Sequence, residues 1–239
     1  MTTVLIDGDE VAYKAAFATE TSVRWNEETW VSFADETEMK DSIDTIVSNA
    51  LEDTKCDKVF VALSDRENFR KRIYPEYKAN RKNNRKPVGL KFCRDYLFNN
   101  YKTRIRRWCE ADDTLAIEAY KNIDNTVIWS VDKDFLTVPC NLFREGKIQK
   151  ITKEEAEAQL KYQTLIGDTA DNFGGAKSFG PVKASKWLNE KGYSWHSVVK
   201  AFESVGMTQN DCTLNARLAR ILWTPKEKMK WRPDYEMVG

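Results

Sequence analysis

Short apolar runs rich in Val and Ile constrain the fold of this chain more than any other feature of its sequence. They cover residues 3–6, 58–63 and 126–131, and segments with helical spacing lie between them. Strands of a parallel sheet that is covered on both faces have this unbroken apolar pattern. We therefore predict an α/β core with a mostly parallel central sheet flanked by helices from residue 1 to 150, followed by a helical subdomain from 151 to 239.

The spacing of apolar residues predicts the other elements of the core. Apolar positions at helical intervals indicate helices after Asp9 and over 36–51, 90–98 and 110–120. A short strand is expected over 104–108 and a small hairpin over 143–151. No stretch of about 18 apolar residues occurs, so no transmembrane helix is expected.

Cysteine and histidine usage narrows the chemistry. The five cysteines are scattered without a C-x-x-C pair, so they are interpreted as reduced and mostly buried. The N-terminus enters a strand directly, leaving no room for a signal peptide, so a cytoplasmic protein is expected. The single histidine, His196, lies far from the acidic motifs, so catalysis is expected to use carboxylates, lysines or metal ions.

Charge is distributed unevenly along the chain. Between Arg66 and Arg107, fifteen lysines and arginines stand against three acids, an excess of +12 in a chain whose net charge is +1. The other residues therefore sum to −11. Opposed fields of this size indicate that a polyanion meets one region and metal cations the other. Tyrosines interleaved with the cations favour nucleic acid over a merely solvated pair of basic helices.

Carboxylates recur where the predicted strands end. Asp7 ends the first strand, Asp65 follows the second by two residues, and Asp132 with Asp134 follows the third. Functional residues of open parallel sheets gather beyond the C-terminal ends of the strands, so these acids are expected at one edge. Converging acids repel one another unless cations intervene, and oxygen-only ligands suit Mg²⁺ or Mn²⁺. Further acids open a helix or follow a later one, namely Glu110, Asp112, Asp113, Asp168 and Asp171.

Each of these features has a simpler interpretation when taken alone. Asp112 or Asp113 by itself would be a helix N-cap, and an isolated Asp-Gly-Asp is usually a turn. The glycine-rich turn of residues 174–180, which precedes a predicted helix, presents backbone N–H groups suited to phosphate, although most such turns are only turns. Its place directly behind Asp168 and Asp171 strengthens the functional interpretation.

Taken in order, these motifs resemble the 5′-nuclease (flap endonuclease) superfamily. The segments that carry the resemblance are LIDGDEVAYKAAF, FRKRIYPEYKANR, EADDTLAIEAY, VIWSVDKDF and LIGDTADNFGGAKSFGP. The tail MTQNDCTLNARLARILW and the following WRP resemble the compact 5′→3′ exonucleases of small tailed bacteriophages. The resemblance implies a PIN-like core, a helical arch in the basic stretch 66–107, and a helix–three-turn–helix over 160–190.

The resemblance also implies roles for individual residues. Tyr77, Lys78 and Arg81 match residues that stack on and clamp the scissile nucleotide. Metal ligands are implied at Asp7, Asp65, Glu110, Asp112, Asp113, Asp132, Asp134, Asp168 and Asp171. Nucleic-acid contacts are implied at Arg70, Lys71, Lys78, Arg81, Lys82, Gly175, Lys177, Gly180 and Lys183. Ser178 stands where the family has its first turn glycine and Val182 where it has a lysine, which leaves the grip on duplex DNA open.

These roles lead to a mechanistic hypothesis. Two divalent cations, Mg²⁺ or Mn²⁺, would support phosphodiester hydrolysis, one activating a water and the other stabilising the leaving 3′ oxygen. A potassium ion is implied at the helix–three-turn–helix. The expected partner is DNA with a 5′ end, flap or nick, and RNA–DNA hybrids are a further substrate class. Only 31 residues separate Lys78 from Glu110, which favours exonucleolytic trimming over threading of long flaps.

Four alternatives remain open at this point. A structure-specific 5′ flap endonuclease is the nearest. A haloacid-dehalogenase-type phosphatase would use Asp7 as nucleophile and Asp9 as acid, but does not account for the basic stretch. A PIN-type ribonuclease would lack the helix–turn–helix region. A non-catalytic DNA-binding protein would have a degenerate metal site.

Overall fold

The apolar runs of the sequence form the centre of a six-stranded sheet. In a computed structural model, which describes residues 1–235, the sheet has the order β5-β4-β1-β6-β7-β8. The strands are β1 (Thr3–Asp7), β2 (Glu20–Arg24), β3 (Trp30–Ala34), β4 (Lys58–Leu63), β5 (Thr103–Ile105), β6 (Thr126–Trp129), β7 (Cys140–Arg144), β8 (Lys147–Ile151), β9 (Gly167–Asp168) and β10 (Phe173–Gly174). The pairs β1–β4, β1–β6, β4–β5 and β6–β7 are parallel, so the predicted α/β class with a mostly parallel sheet is confirmed.

Helices begin and end close to where the apolar spacing places them. The predicted helices over 36–51, 90–98 and 110–120 are found with slightly extended C-terminal ends. The predicted strand 104–108 is shorter than expected and covers only β5, because residues 106–108 turn toward the next helix. The helices are α1 (Gly8–Ala18), α2 (Glu36–Thr54), α3 (Phe69–Ile73), α4 (Leu90–Asn100), α5 (Ala111–Lys121), α6 (Lys153–Ile166), α7 (Pro181–Lys191), α8 (Trp195–Glu203) and α9 (Gln209–Ala219).

Internal packing divides the chain into two units that are interleaved along the sequence. The first unit contains residues 1–66, 84–132 and 140–150, and the second contains 67–83, 133–139 and the described residues from Ile151 to 235. The predicted domain boundary at residue 150 was therefore wrong for two segments, 67–83 and 133–139. Segment 133–139 packs in the second unit partly because the Trp223 indole N–H donates to the Thr137 carbonyl at 3.0 Å.

The core of the first unit lies between the sheet and helices α1, α2 and α4. Val4 and Ile6 of β1 and Val61 of β4 face this layer, where Ile43 of α2 and Leu97 of α4 are fully buried. Each such side chain contributes about 1.5–3 kcal/mol by leaving water. Helix α5 packs against β1, β4 and β6 from the other side, which completes the two-sided cover expected for a parallel sheet.

A close approach of backbone to backbone fixes where α1 begins. A Cβ atom at Gly8 would lie 2.6 Å from Cγ1 of Val61 and 2.9 Å from the carbonyl oxygen of Ala62. Only glycine fits this contact between the first turn of α1 and strand β4. The aspartates on either side of Gly8 are therefore held at a defined distance from the end of β4.

The second unit is built mainly from α6 to α9. Val198 and Phe202 of α8 pack with Ala184 and Leu188 of α7 in one buried cluster. Thr152 starts α6 with a capping box in which it exchanges hydrogen bonds with Glu155. Within residues 1–235, no helix is long and apolar enough to cross a membrane.

Candidate active site and nucleic-acid interface

Three aspartates follow the C-terminal ends of three neighbouring strands in the first unit. Asp7 closes β1 and pairs in register with Ala62 of β4. Its carboxylate also caps α1, accepting hydrogen bonds from the N–H groups of Asp9 at 2.7 Å and Glu10 at 3.2 Å. Because β4, β1 and β6 are adjacent and parallel, Asp65 and Asp132 follow at the same edge. The predicted placement of these acids at one edge of the sheet is thus confirmed.

Asp65 holds the loop that leads into α5. Its Oδ2 accepts the N–H of Trp108 at 2.7 Å, and its own N–H donates to the carbonyl of Cys109 at 3.0 Å. Trp108 has a φ of 62°, a left-handed conformation that costs a non-glycine residue free energy. The hydrogen bond from Asp65 stabilises this turn just before Glu110.

The acids at the start of α5 take part in capping that helix. Glu110 and Asp113 form a capping box in which the Asp113 carboxylate accepts the N–H of Glu110 at 3.1 Å. Asp113 is fully buried, whereas Asp112 is partly exposed on the first turn. Asp113 therefore takes part in capping α5, but the N-cap itself is Glu110 and neither Asp112 nor Asp113.

Asp9 and Arg94 are two residues of this edge that sequence reasoning did not assign to the site. The Asp9 carboxylate pairs with the Arg94 guanidinium and accepts the N–H of Ser64 at 2.8 Å. Arg94 also donates to the Ser64 carbonyl at 3.0 Å. Burial lowers the pKa of Arg94, and the nearby Asp7 carboxylate acts in the opposite direction. The second acid of Asp-Gly-Asp was a signal for Asp9, but nothing in the sequence connects Asp9 to a residue 85 positions away.

The donor chemistry of the edge fits hard divalent cations, because every predicted ligand is a carboxylate. The structure does not, however, bring all the predicted ligands together. Within the described residues, no three Asp, Glu, His or Cys side chains form a group arranged to hold a metal ion. Six of the predicted ligands belong to the first unit, and Asp134, Asp168 and Asp171 belong to the second.

In the second unit, one carboxylate organises the predicted clamp residues. Asp171 accepts a hydrogen bond from Arg81 at 2.7 Å on one oxygen and from the Tyr77 hydroxyl at 2.7 Å on the other. Lys78 Nζ lies 3.6 Å from the same carboxylate, and the Lys78 N–H donates to the Asp171 carbonyl at 2.9 Å. Asn80 and the Arg81 Nε also donate to the Ala170 carbonyl. The segment 77–81 is thus fixed to the turn that contains Asp168 and Asp171.

The burial of Tyr77 and Arg70 corrects two predicted roles. Tyr77 is 2% exposed and packs with Leu160, Phe173 and Leu218, so its ring has no free face on which a nucleotide could stack. Arg70 is likewise 2% exposed, and its guanidinium donates to the carbonyls of Leu218 and Arg220. Arg70 therefore fixes the segment 67–83 to the end of α9 and does not face nucleic acid.

Asp134 and Asp168 have defined partners within the second unit. Asp134 accepts a hydrogen bond of 2.9 Å from the side-chain amide of Gln163, a buried residue of α6 that sequence reasoning missed. Asp168 accepts the N–H groups of Ala170 and Asp171 and so shapes its own turn. Gln163 carries no sequence signal, because a polar residue inside a helix is ordinarily a surface residue.

The turn between α6 and α7 lies within residues 160–190, where a helix–three-turn–helix is predicted. Gly175 packs so tightly that a Cβ atom there would lie 1.9 Å from the Leu165 carbonyl oxygen, whereas a Cβ atom at Gly180 would meet open space. Ser178, which replaces the family glycine, has a φ of 60°. Gly180 is the N-cap of α7 without a side-chain cap, which leaves backbone N–H groups at the helix start. The predicted contacts Lys177, Gly180 and Lys183 are exposed.

The basic stretch 66–107 does not form a free-standing arch. Helix α4 buries Cys93 and Leu97 in the core of the first unit, so the expected arch is wrong for this part of the stretch. Several of its cations are paired with acids elsewhere, such as Arg85 with Glu20 at 2.5 Å and Arg104 with Glu118 at 2.6 Å. The local excess of +12 is therefore partly neutralised within the fold.

A groove of 870 Å³ opens beside Asp65 in the first unit. Its walls include the cations Arg66, Lys86, Lys91 and Arg94. The aromatic ring of Phe98 and the side chain of Ile105 also line it, and both are exposed. Cations with exposed apolar surface form the kind of wall that accommodates a nucleic-acid strand.

Comparison with known proteins places the chain in a family. Residues 2–163 match the family described as 5′-3′ exonuclease, N-terminal resolvase-like domain. The exonuclease of Escherichia phage T7 is 26% identical over 96% of this chain and 93% of its own length. The 5′-3′ exonuclease of Mycoplasma pneumoniae is 26% identical over 79% of this chain and 72% of its own length. The chain belongs to the 5′-3′ exonuclease family, and it is an enzyme of the 5′-3′ exonuclease and flap endonuclease class.

Solved structures show the same fold at lower sequence identity. The flap endonuclease of bacteriophage T5, in a complex with DNA and metal ions, superimposes with a TM-score of 0.69 and 15% identity, covering 95% of this chain and 90% of that one. This likeness extends beyond the α/β core into the helical region. It confirms the fold predicted from the resemblance. The dehalogenase alternative is excluded by the family match and by the pairing of Asp9 with Arg94 and Ser64.

Proposed function

We propose that this chain is a metal-dependent 5′→3′ exodeoxyribonuclease that hydrolyses phosphodiesters from the 5′ ends of duplex DNA, with RNA in RNA–DNA hybrids as a further substrate. The observation that carries the proposal is the placement of Asp7, Asp65 and Asp132 after three adjacent parallel strands, in a chain of the 5′-3′ exonuclease family. In open parallel sheets, ligands bind beyond the carboxyl ends of the strands, which is where these acids lie.

Mg²⁺ or Mn²⁺ are the cofactors that suit these carboxylates. The first unit offers Asp7, Asp65, Glu110, Asp112, Asp113 and Asp132, and the second offers Asp134, Asp168 and Asp171. Two bound cations would supply an activated water and neutralise charge on the leaving 3′ oxygen. The protein itself holds the acids in place through the Asp7 cap, the Asp65–Trp108 hydrogen bond and the Gln163–Asp134 hydrogen bond.

Lys78 and Arg81 are the residues we assign to the phosphate. Arg81 is 47% exposed in its side chain and Lys78 is 20% exposed, so both can meet a ligand while Asp171 orients them. A guanidinium and an ammonium held in fixed positions stabilise the charge that develops on a phosphate during hydrolysis. Tyr77 acts through Asp171 and is a positioning residue.

Contacts to DNA are expected to be made mostly to phosphate. The groove beside Asp65 and the exposed start of α7, with Lys177 and Lys183 near it, are the surfaces that suit this binding. Binding of this kind weakens steeply with salt and depends little on sequence. A K⁺ ion in the turn before α7 remains part of the proposal that rests on the family resemblance.

Flap endonuclease activity is the second candidate, and the fold shared with the T5 flap endonuclease favours it. The packing of α4 into the core favours trimming of ends instead, because it removes chain from the expected arch. Purified protein with Mg²⁺, or with Mn²⁺ in parallel, would be incubated with duplex DNA labelled at one 5′ end and with a matched 5′-flap substrate. Early release of labelled mononucleotides from the plain duplex is the expected result, and release of intact flaps with plain duplex untouched would establish flap cleavage as the main activity.

A pair of variants on either side of strand β6 tests the role of the carboxylates. Asp132→Ala, in the loop after the C-terminal end of β6, is expected to lower the rate by about 10²-fold or more while DNA is still bound. Asp124→Ala, an exposed aspartate just before the N-terminal end of the same strand, is the control and should leave the rate unchanged. An inactive wild-type protein that binds DNA but shows no heat of Mn²⁺ binding in calorimetry would point to a non-catalytic DNA-binding protein.

A further inference from the structure

The hairpin of β2 and β3 presents an apolar face that sequence analysis did not predict. The strands pair antiparallel in the register Thr21 with Phe33 and Val23 with Val31. Alternation places Val23, Val31 and Phe33 on one face, and Trp25 continues this row one residue past β2, because its N–H donates to the Thr29 carbonyl at 2.8 Å. In the order Val23, Trp25, Val31 and Phe33, the side chains of this row are 47%, 75%, 45% and 53% exposed. A contiguous set of large apolar side chains facing solvent marks an interaction surface more often than an ordinary surface does.

The opposite face of the hairpin holds it to the first unit. Glu20 pairs with Arg85 at 2.5 Å and accepts the N–H of Val88 at 2.7 Å. Ala34, directly across from Glu20, packs against the core of the first unit. The hairpin is thus anchored at its base through Glu20 and Ala34, and its outer face is available to a partner.

The net charge of the hairpin and of the start of α2 indicates the kind of partner. Residues 21–38 contain one cation, Arg24, and five acids, a net charge of −4. The acids are Glu27, Glu28, Asp35, Glu36 and Glu38. Such a field repels the phosphates of nucleic acid and attracts cations. A second copy of this chain is also disfavoured, because a symmetric contact through this face would set two acidic rims against each other.

We propose that the outer face of the β2–β3 hairpin docks a protein partner that presents an apolar strand or helix face flanked by lysines and arginines. Trp25 would be the central anchor, since buried tryptophans dominate the free energy of such contacts. The glutamates at the hairpin tip would pair with the cations of the partner. This surface is independent of the carboxylates and cations assigned to hydrolysis.

A defined peptide probe tests the proposal. A fluorescein-labelled peptide with alternating valine and lysine would be titrated with the full chain and followed by anisotropy. We expect saturable binding that weakens about tenfold or more in Trp25→Ser, the loss typical of a central interface aromatic. Trp30→Ser is the matched control, because Trp30 is also a highly exposed tryptophan but lies on the opposite face. The Trp30→Ser variant should bind the peptide as the wild type does.

Further controls test the role of charge, the stability of the variant, and whether nucleic acid or a second copy of this chain binds the surface instead. Glu27→Lys with Glu28→Lys should weaken the lysine peptide, and the same peptide with glutamate in place of lysine should not bind. Trp25→Ser should unfold at the wild-type temperature and retain full nuclease activity. The proposal is overturned if no peptide binds, if both peptides bind equally, if labelled oligothymidylate binds in a Trp25-dependent way, or if ultracentrifugation shows a dimer that Trp25→Ser abolishes.

Discussion

Arg81 and Asp171 lie 90 residues apart in the sequence and are joined by a hydrogen bond of 2.7 Å between the guanidinium and Oδ1. The other carboxylate oxygen accepts the Tyr77 hydroxyl, and Lys78 Nζ lies 3.6 Å away. One acid therefore holds every residue that the family resemblance assigns to the phosphate. The position of the clamp residues therefore depends on the turn after α6 as well as on the hydrogen bond of 3.2 Å from the Arg81 N–H to the Lys78 carbonyl.

Replacing Asp171 tests whether its negative charge fixes the positions of Lys78 and Arg81. Asp171→Asn removes the ionic partner of two cations in a partly buried setting, so we expect the free energy of unfolding to fall by about 1–3 kcal/mol. Turnover of duplex DNA should fall by about 10²-fold because Lys78 and Arg81 lose their fixed geometry. Urea unfolding and initial rates measure both effects. Glu76→Gln, an exposed acid of the same segment, is the control, and an Asp171→Asn enzyme with wild-type rate would show that the clamp is positioned by other contacts.

Two substitutions of Asp7 should separate its contribution to stability from its contribution to activity. Asp7→Ala removes the N-cap of α1 and should cost about 1 kcal/mol of stability, whereas Asp7→Asn retains a good cap. Both should lose activity by about 10²-fold or more if the negative charge is needed for cations. Asp35→Ala removes the cap of α2 and should lower stability alone. Full activity in Asp7→Asn would leave Asp7 with a capping role only.

Arg70 and Lys82 should differ in what they do for the protein. Arg70→Met leaves the carbonyls of Leu218 and Arg220 without their buried donor, so stability should fall by about 1–3 kcal/mol with little change in the salt dependence of DNA binding. Lys82→Gln removes an exposed cation and should reduce the slope of log affinity against log salt by about 1 without affecting stability. Chemical unfolding and salt titrations of DNA binding measure these outcomes. A changed salt slope in folded Arg70→Met would place Arg70 at the DNA surface after all.

The two glycines of the turn before α7 should respond differently to alanine. Gly175→Ala places a Cβ atom 1.9 Å from the Leu165 carbonyl oxygen, so the backbone must shift, and we expect a loss of about 1–3 kcal/mol. Gly180→Ala meets open space at a φ of −80° and should be tolerated within about 1 kcal/mol. Thermal unfolding compares the two. Equal losses would mean that the turn is looser than the contact at Gly175 requires.

Stability at acid pH should depend on the capping box of α6. Hydrogen bonds from the backbone and side chain of Thr152 lower the pKa of Glu155. A carboxyl whose pKa is lower in the folded state contributes stability fully above its unfolded pKa and loses it as the pH falls through the folded pKa. The fall in melting temperature from about pH 6 to about pH 3 should therefore be smaller in Glu155→Gln than in the wild type. Glu154→Gln, an exposed neighbour outside the box, should behave like the wild type.

The sequence predicted the parts of the site that depend on local pattern. Apolar runs placed β1, β4 and β6, and so placed Asp7, Asp65 and Asp132 at one edge, because parallel neighbours end on the same side. The cysteine interpretation also held, since four of the five free thiols are buried and Cys56 is partly so. The helical subdomain followed from its periodicity.

Long-range packing set the limits of sequence-based prediction. Tyr77 and Arg70 lie among cations in the sequence, and it is the packing of residues distant in sequence, from α6, β10 and α9, that buries them. The pairing of Asp9 with Arg94 joins α1 to α4 without any local sign. The β2–β3 hairpin was missed because its turn contains neither glycine nor proline and its apolar residues face solvent.

The interleaving of the two units has a consequence for how the protein is made on the ribosome. The segment 67–83 is synthesised early, yet its partners are Asp171, Leu218 and Arg220. A nascent chain can form the carboxylate edge of the first unit while the clamp residues still lack the surface that fixes them. The cations assigned to phosphate reach their final positions only after residue 220 has left the exit tunnel, so a prematurely terminated product would carry the acids without the assembled clamp.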